Sequence, residues 1–147
     1  MTGFQLAAGA IGSRVWWPDV DRIVVDGMNV IGSRPDGWWR DLDAAVVRLA
    51  RALAAWRAAA GGDVTVVFDG RPPPGLADVD LGGLEVAFAG RGRAADDEIV
   101  RRVGIDPDAA CVRVVTSDRP LAERVRAAGA GEVVGAGGFR RLLDDYG

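Results

Sequence analysis

The sequence contains no histidine and no lysine, and all 18 of its basic residues are arginines. The absence of histidine excludes catalysis in which a histidine base activates a serine or a cysteine. It also excludes zinc sites that use imidazole ligands. Without lysine, Schiff-base chemistry is excluded, and so is the Walker-type phosphate loop that depends on a lysine. Any catalysis therefore rests on carboxylates, hydroxyls, arginines and a metal that the carboxylates could hold.

Cysteine and long apolar runs are also scarce. The single cysteine, Cys111, cannot form a disulfide within the chain, which is typical of a reducing compartment. No apolar run reaches the roughly 18 residues that a membrane-spanning helix needs. The first basic residue is Arg14, and the apolar residues before it are interrupted by glycines, so the pattern of a secretory signal is missing. We therefore expect a cytoplasmic protein without a membrane span.

The composition suits one globular domain. The 147 residues fit a single domain, and a hydrophobic content of 49% is enough for a sizeable core. The net charge of −3 argues against tight nonspecific binding of a polyanion. It does not exclude RNA, because divalent ions bound to clustered carboxylates would add positive charge.

Short apolar runs alternate with helical patterns along the chain. The continuous apolar runs predict strands at 23–25, 64–68, 84–88, 112–115 and 132–134. The helical patterns predict helices at 41–60, 95–103, 121–128 and 139–143. Buried strands that alternate with helices indicate a doubly wound α/β domain with a mainly parallel sheet covered on both faces. Residues 1–20 show no clean periodicity and are interpreted as an N-terminal extension of a domain at 21–147.

Aspartates occur repeatedly where ligands bind in such sheets, just outside the carboxyl ends of the strands. Asp26 and Asp69 each follow a strand directly, Asp118 follows another, and Asp96 opens a helix that should face the same edge. Each aspartate alone also suits a turn or a helix N-cap. Clustered carboxylates repel one another unless they are neutralised, and oxygen ligands are what Mg²⁺ or Mn²⁺ requires. A metal site therefore explains the coincidence better than four independent caps.

Several polar residues accompany these acids. Asn29 can hold a carboxylate, a water or a phosphate oxygen, or it can be a turn residue, and Gly27 allows a tight turn or the close approach of a ligand. Ser117, with Thr116, can position Asp118 or a phosphate, or cap the next helix. Arginines are suited to phosphate contacts, and we expect substrate binding, not chemistry, from three of them: Arg91, Arg93 and Arg119.

The motifs VVDGMNVIG, VVFDG, AADDEIV and VVTSD, in this order and spacing, resemble the YacP-like group of the NYN domain, a branch of the PIN-like nucleases. The resemblance covers about residues 21–147. It implies a three-layer α/β/α sandwich, RNA as the substrate, and metal-dependent endoribonuclease activity. It also implies that Mg²⁺ or Mn²⁺ is held by the acidic site, and that these residues are catalytic with Asn29 in support: Asp26, Asp69, Asp96 and Asp118. Ala94 replaces a usual threonine and Met28 a common tyrosine, but neither change removes a carboxylate.

Three other classes of protein compete with this interpretation. A phosphatase of the haloacid dehalogenase type needs a second acid where Met28 stands and normally a lysine, so it fits poorly. A dinucleotide-binding domain needs a G-x-G-x-x-G motif after the first strand, which is missing. The serious alternative is a noncatalytic RNA-binding or ribosome-associated module on the same fold.

Overall fold

The computed structural model describes residues 22–92 and 94–146. The predicted N-terminal extension at 1–20 and Arg93 lie outside the described residues. Five strands form one sheet in the order β3-β2-β1-β4-β5, and every neighbouring pair is parallel. The strands are β1 (Arg22–Asp26), β2 (Asp63–Phe68), β3 (Glu85–Phe88), β4 (Val112–Val115) and β5 (Glu132–Val134).

Five α-helices cover the sheet in two layers. They are α1 (Gly27–Gly32), α2 (Leu42–Ala60), α3 (Ala94–Ile105), α4 (Arg119–Ala127) and α5 (Ala136–Leu143). Three short 3₁₀ helices lie at Trp38–Arg40, Pro74–Asp78 and Ala109–Cys111. Within the described ranges, no helix is both long enough and apolar enough to cross a membrane.

The alternation of side chains along the strands creates two cores. Ile23 and Val25 of β1 face one layer, where they pack with buried residues of α1, α2 and α5. Val24 faces the other layer and packs with buried residues of α3 and α4. Successive strand residues point to opposite faces, so a run that is apolar at every position needs a helical layer on both sides. The predicted three-layer α/β/α sandwich with a parallel sheet is confirmed.

The prediction of elements was wrong by two residues or more in four helices. Helix α4 begins at Arg119 instead of 121, directly after its N-cap Asp118. Helix α1 was not predicted, because six residues with a glycine at each end show no periodicity; its residues Val30 and Ile31 are held by burial in the core. Helix α5 begins at Ala136 instead of 139, since burial of Ala136 outweighs the low helix propensity of the two glycines that follow. Helix α3 continues beyond its predicted end at 103, through Gly104, as far as Ile105.

Candidate active site at the carboxyl edge of the sheet

The order of the strands reverses between β1 and β4. The chain first adds β2 and β3 on one side of β1, and then returns to add β4 and β5 on the other side. In open α/β sheets a crevice forms at such a reversal, outside the carboxyl ends of the strands. Val25 pairs with Val115, so the residues that follow, Asp26 and Thr116, meet at this crevice.

Asp26 is buried, with only 5% of its surface exposed. One carboxylate oxygen, Oδ2, accepts a hydrogen bond from the Thr116 hydroxyl at 2.9 Å. The other oxygen accepts from the backbone N–H of Asn29 at 3.4 Å, so Asp26 is also the N-cap of α1. Burial raises the pKa of Asp26 to about 6, and the nearby charges of Asp96 and Asp118 add to the rise, while the two hydrogen bonds oppose it.

Thr116 connects the acids of two neighbouring strands. Its hydroxyl donates to Asp26 and at the same time accepts from the backbone N–H of Asp118 at 3.1 Å. Thr116 is itself buried, with 2% of its surface exposed, so this geometry is shielded from water. The sequence indicated a role beside Asp118 or a phosphate, but the contact with Asp26 was missed. The signal for it is the pairing of β1 with β4, which the sequence alone does not give.

Asn29 and Ser117 form a second connection across the same crevice. The backbone N–H of Ser117 donates to Oδ1 of Asn29 at 2.6 Å. The Ser117 hydroxyl in turn accepts from the backbone N–H of Ala136, the first residue of α5, at 2.8 Å. In the described part of the chain, the side-chain nitrogen of Asn29 has no acceptor. It therefore remains able to donate to a ligand at the edge.

Asp118 and Asp69 are each anchored through one oxygen. Oδ1 of Asp118 accepts from the N–H of Leu121 at 3.1 Å, which makes Asp118 the N-cap of α4. Oδ1 of Asp69 accepts from the N–H of Ala95 in the first turn of α3 at 3.2 Å. No described residue donates to the second oxygen of either carboxylate. Asp118 therefore does cap α4, but the cap uses only one of its two carboxylate oxygens, and the other can still bind a ligand.

The four predicted acids thus occupy one edge of the sheet. Asp26 is electrostatically coupled to Asp96 and Asp118, and Asp69 is tied to the turn of α3 that carries Asp96. Asp97, whose role the sequence did not assign, is exposed and forms an ion pair with Arg124 at 2.9 Å. Asp97 therefore belongs to the contact between α3 and α4, and Asp96 belongs to the edge.

The donor set matches a hard divalent ion in its chemistry. All four side chains offer carboxylate oxygens, which Mg²⁺ and Mn²⁺ prefer. The pKa of Asp26 is raised first by its burial and further by the charges of Asp96 and Asp118, and a bound cation would lower it. Among residues 22–92 and 94–146, no group of three or more acidic or cysteine side chains is drawn together closely enough to hold a metal ion as it stands.

Two of the predicted substrate-binding arginines, Arg91 and Arg119, are exposed beside this edge and have no ionic partner among the described residues; Arg93 lies outside them. Arginines nearer the opposite edge are paired instead. Arg22 at the start of β1 binds Asp106 at 2.5 Å, and Arg113 binds Glu132 at 2.7 Å. Uncompensated positive charge therefore lies on the side of the sheet that carries the acids.

Gly27 serves packing at this site. A Cβ atom at Gly27 would lie 2.5 Å from the ring of Phe68, which is far closer than such atoms approach. Gly27 is buried, and Phe68 immediately precedes Asp69. The glycine that was interpreted as a turn or an approach for a ligand thus allows α1 to start directly against the strand that delivers Asp69.

The sheet order, the two helical layers and the acidic edge define an α/β domain of the PIN-like class. The model of the YacP-like NYN domain family matches residues 23–144, and the chain belongs to this family. The family and its solved structures support a nuclease-like, RNA-related fold.

Two crystal structures of Rae1 (YacP) from Bacillus subtilis are similar to this chain. One has a TM-score of 0.70 at 26% identity and covers 86% of this chain and 75% of that chain. The other, of a mutant form, has a TM-score of 0.69 at 26% identity and covers 86% of this chain and 77% of that chain. None of the curated proteins compared with the chain matches it significantly.

Proposed function

We propose that this domain is a metal-dependent endoribonuclease that hydrolyses RNA phosphodiester bonds at the carboxyl edge of the sheet. The observation that carries the proposal is the state of Asp26. It is a buried carboxylate whose pKa is raised to about 6 by burial and by the charges of Asp96 and Asp118. A purely structural cap has no need of two further acids nearby, whereas a cation site requires them.

Four residues would hold the metal: Asp26, Asp69, Asp96 and Asp118. When bound, Mg²⁺ or Mn²⁺ supplies a water of lowered pKa and neutralises charge that develops on the reacting phosphate. The chain itself fixes the direction of Asp26 through the Thr116 hydroxyl, and it fixes Asn29 through the backbone of Ser117. Arg91 and Arg119 attract the phosphates of the substrate, and the side-chain nitrogen of Asn29 donates to one of their oxygens.

A noncatalytic RNA-binding or ribosome-associated module is the second candidate, and one observation favours it. The acids of the described residues do not form a closed group of three metal ligands. Such a module would still use the exposed arginines of this edge for phosphate contacts. The two candidates differ in what a divalent ion does, because only the nuclease requires it for turnover.

The deciding experiment is cleavage of a labelled RNA by the wild type and by Asp26→Asn, each with Mg²⁺, Mn²⁺ or EDTA. Asparagine keeps the shape of the side chain and removes its charge. We expect cleavage to fall by about a hundredfold or more, because several kcal/mol of metal stabilisation is lost. EDTA should abolish cleavage by the wild type.

Asp145→Asn is the matched control, since Asp145 is an exposed aspartate that no described residue contacts through a hydrogen bond or ion pair. This variant should cleave like the wild type. Equal cleavage by Asp26→Asn, or cleavage that EDTA leaves intact, would contradict the proposed nuclease. Binding of RNA without any cleavage under all three conditions would favour the noncatalytic module.

A further inference from the structure

The 3₁₀ helix at Trp38–Arg40, here called the tryptophan turn, presents an aromatic side chain to solvent. Trp39 is 55% exposed, which is unusual for so large an apolar side chain. Its ring meets that of Trp38 edge-on, with centroids 5.8 Å apart and an interplanar angle of 87°. The guanidinium of Arg40 lies 5.7 Å from the centroid of the Trp39 ring. The turn thus offers a flat aromatic surface next to a positive charge.

A cavity of about 400 Å³ lies beside the tryptophan turn, between α1, α2 and α5. Trp38 forms part of its wall, and Ile31, Leu49 and Leu143 supply apolar lining. A volume of this order is within the range of small-ligand sites, which combine apolar walls with a few polar groups. The cavity is therefore large enough to receive a nucleobase or part of a nucleotide.

The charges around this cavity are not balanced. Its two acids are neutralised, because Asp36 pairs with Arg140 at 3.0 Å and Asp144 pairs with Arg34 at 2.9 Å. Two further arginines of α2 line the cavity, Arg48 and Arg51; both are exposed, and neither has an ionic partner in the described part of the chain. The lining of the cavity consequently carries an excess of positive charge, which suits a phosphate group.

Helix α1 links this surface to the acidic edge. The helix begins beside its cap Asp26 and ends at Gly32, where a Cβ atom would lie 3.9 Å from the ring of Trp38. Six residues of α-helix extend about 9 Å. That length corresponds to about three stacked nucleotides at 3.4 Å each. A single RNA strand that is bound at the acidic edge can therefore also reach the tryptophan turn.

We propose that the tryptophan turn and the cavity beside it bind single-stranded RNA, as an extension of the nuclease site of the proposed function. Trp39 stacks on a base, and Arg48 and Arg51 each contact a different phosphate. A stacking ring flanked by guanidinium groups is the combination by which proteins hold single strands without reading their sequence. Duplex RNA offers no exposed base faces for stacking, so the surface selects unpaired segments.

The test is binding of a fluorescein-labelled single-stranded RNA, followed by anisotropy in EDTA so that cleavage cannot interfere. Trp39→Ala should weaken binding about tenfold, and Trp39→Phe, which retains a stacking ring, should restore most of it. The double variant Arg48→Gln/Arg51→Gln should make the fall of log K with log salt less steep by about 1.4, since each single-strand phosphate contact contributes about 0.7 to the slope.

Arg126→Gln is the control for the arginine variants. Arg126 is an exposed arginine of α4 in the opposite helical layer, without an ionic partner among the described residues. This variant should shift the salt slope by less than half as much as the double variant does. Binding by Trp39→Ala that equals the wild type, or an unchanged slope in Arg48→Gln/Arg51→Gln, overturns the proposal.

Two further outcomes are informative. If Trp39→Ala leaves RNA binding intact but abolishes self-association in sedimentation velocity, the tryptophan turn contacts a second copy of the chain and the proposal is wrong. If the wild type binds RNA through the tryptophan turn and cleaves none in Mg²⁺ or Mn²⁺, this proposal stands and the proposed nuclease activity fails.

Discussion

Asp26→Asn should stabilise the fold at neutral pH even though it damages the proposed catalysis. The pKa of Asp26 is raised from 3.8 to about 6, so the folded protein holds this proton more tightly than the unfolded chain does. The stabilisation that comes from protonation is complete below pH 3.8 and is lost as the pH rises to about 6. The wild type therefore becomes less stable as the pH rises through this window. The Asp26→Asn variant, which carries no charge at this position, does not.

The magnitude follows from the shift. Each pKa unit corresponds to about 1.4 kcal/mol, so the ionised Asp26 lowers the free energy of unfolding by about 3 kcal/mol at pH 7. Asparagine has a single acceptor oxygen, so it can keep only one of the two hydrogen bonds that Asp26 accepts, from the Thr116 hydroxyl and from the Asn29 N–H, and this loss costs about 1 kcal/mol. The variant should then be about 2 kcal/mol more stable at pH 7, equivalent to a rise in Tm of about 4–8 °C for a domain of this size.

The assay is urea denaturation of both proteins at pH 4 and pH 7 in EDTA, since a divalent ion would itself stabilise the charged form. The variant should have a higher free energy of unfolding than the wild type only at pH 7. Asp145→Asn, measured in parallel, accounts for the loss of one surface charge. A stability difference that is equal at the two pH values would show that Asp26 does not titrate in this window, and the argument from burial would be wrong.

Three other substitutions test the surroundings of the site. Thr116→Val should raise the pKa of Asp26 further, since the hydroxyl of Thr116 lowers it, and Thr116→Ser should not; NMR titration of the Asp26 carboxyl carbon measures both. Gly27→Ala should destabilise the domain by about 1–3 kcal/mol in urea, because the added Cβ meets Phe68 at 2.5 Å. Gly104→Ala should stabilise it by about 0.5–1 kcal/mol, because this helical position is open; a loss of stability there would refute the packing argument.

The sheet and the location of its acids were predictable from the sequence for a physical reason. Continuous runs of β-branched residues need cover on both faces, which forces strands into a parallel sheet between helices. The carboxyl ends of parallel strands share one edge, so Asp26, Asp69 and Asp118 meet there whatever the order of the strands. The N-terminus of α3, and with it Asp96, faces the same edge because the chain must return to begin the next parallel strand.

Other features depended on information that local patterns do not contain. The hydrogen bond from Thr116 to Asp26 requires that β4 lies beside β1, and this order is fixed by the packing of the whole domain. Asp96 and Asp97 are neighbours on a helix, so the rotation of α3 decides which one faces the acidic edge and which one pairs with Arg124. Helix α1 is too short to show a period, and its existence depends on the tertiary burial of Val30 and Ile31.

The hydrogen bond between Thr116 and Asp26 joins residues that are 90 positions apart in the chain. During synthesis Asp26, Asp69 and Asp96 all emerge before β4, and β1 lacks one of its two neighbours until β4 has formed. A fragment that ends before Val112 therefore carries most of the acids but lacks the Thr116 hydroxyl that fixes Oδ2 of Asp26. The acidic edge is thus a property of the completed chain, because a product truncated before Val112 lacks both Thr116 and Asp118.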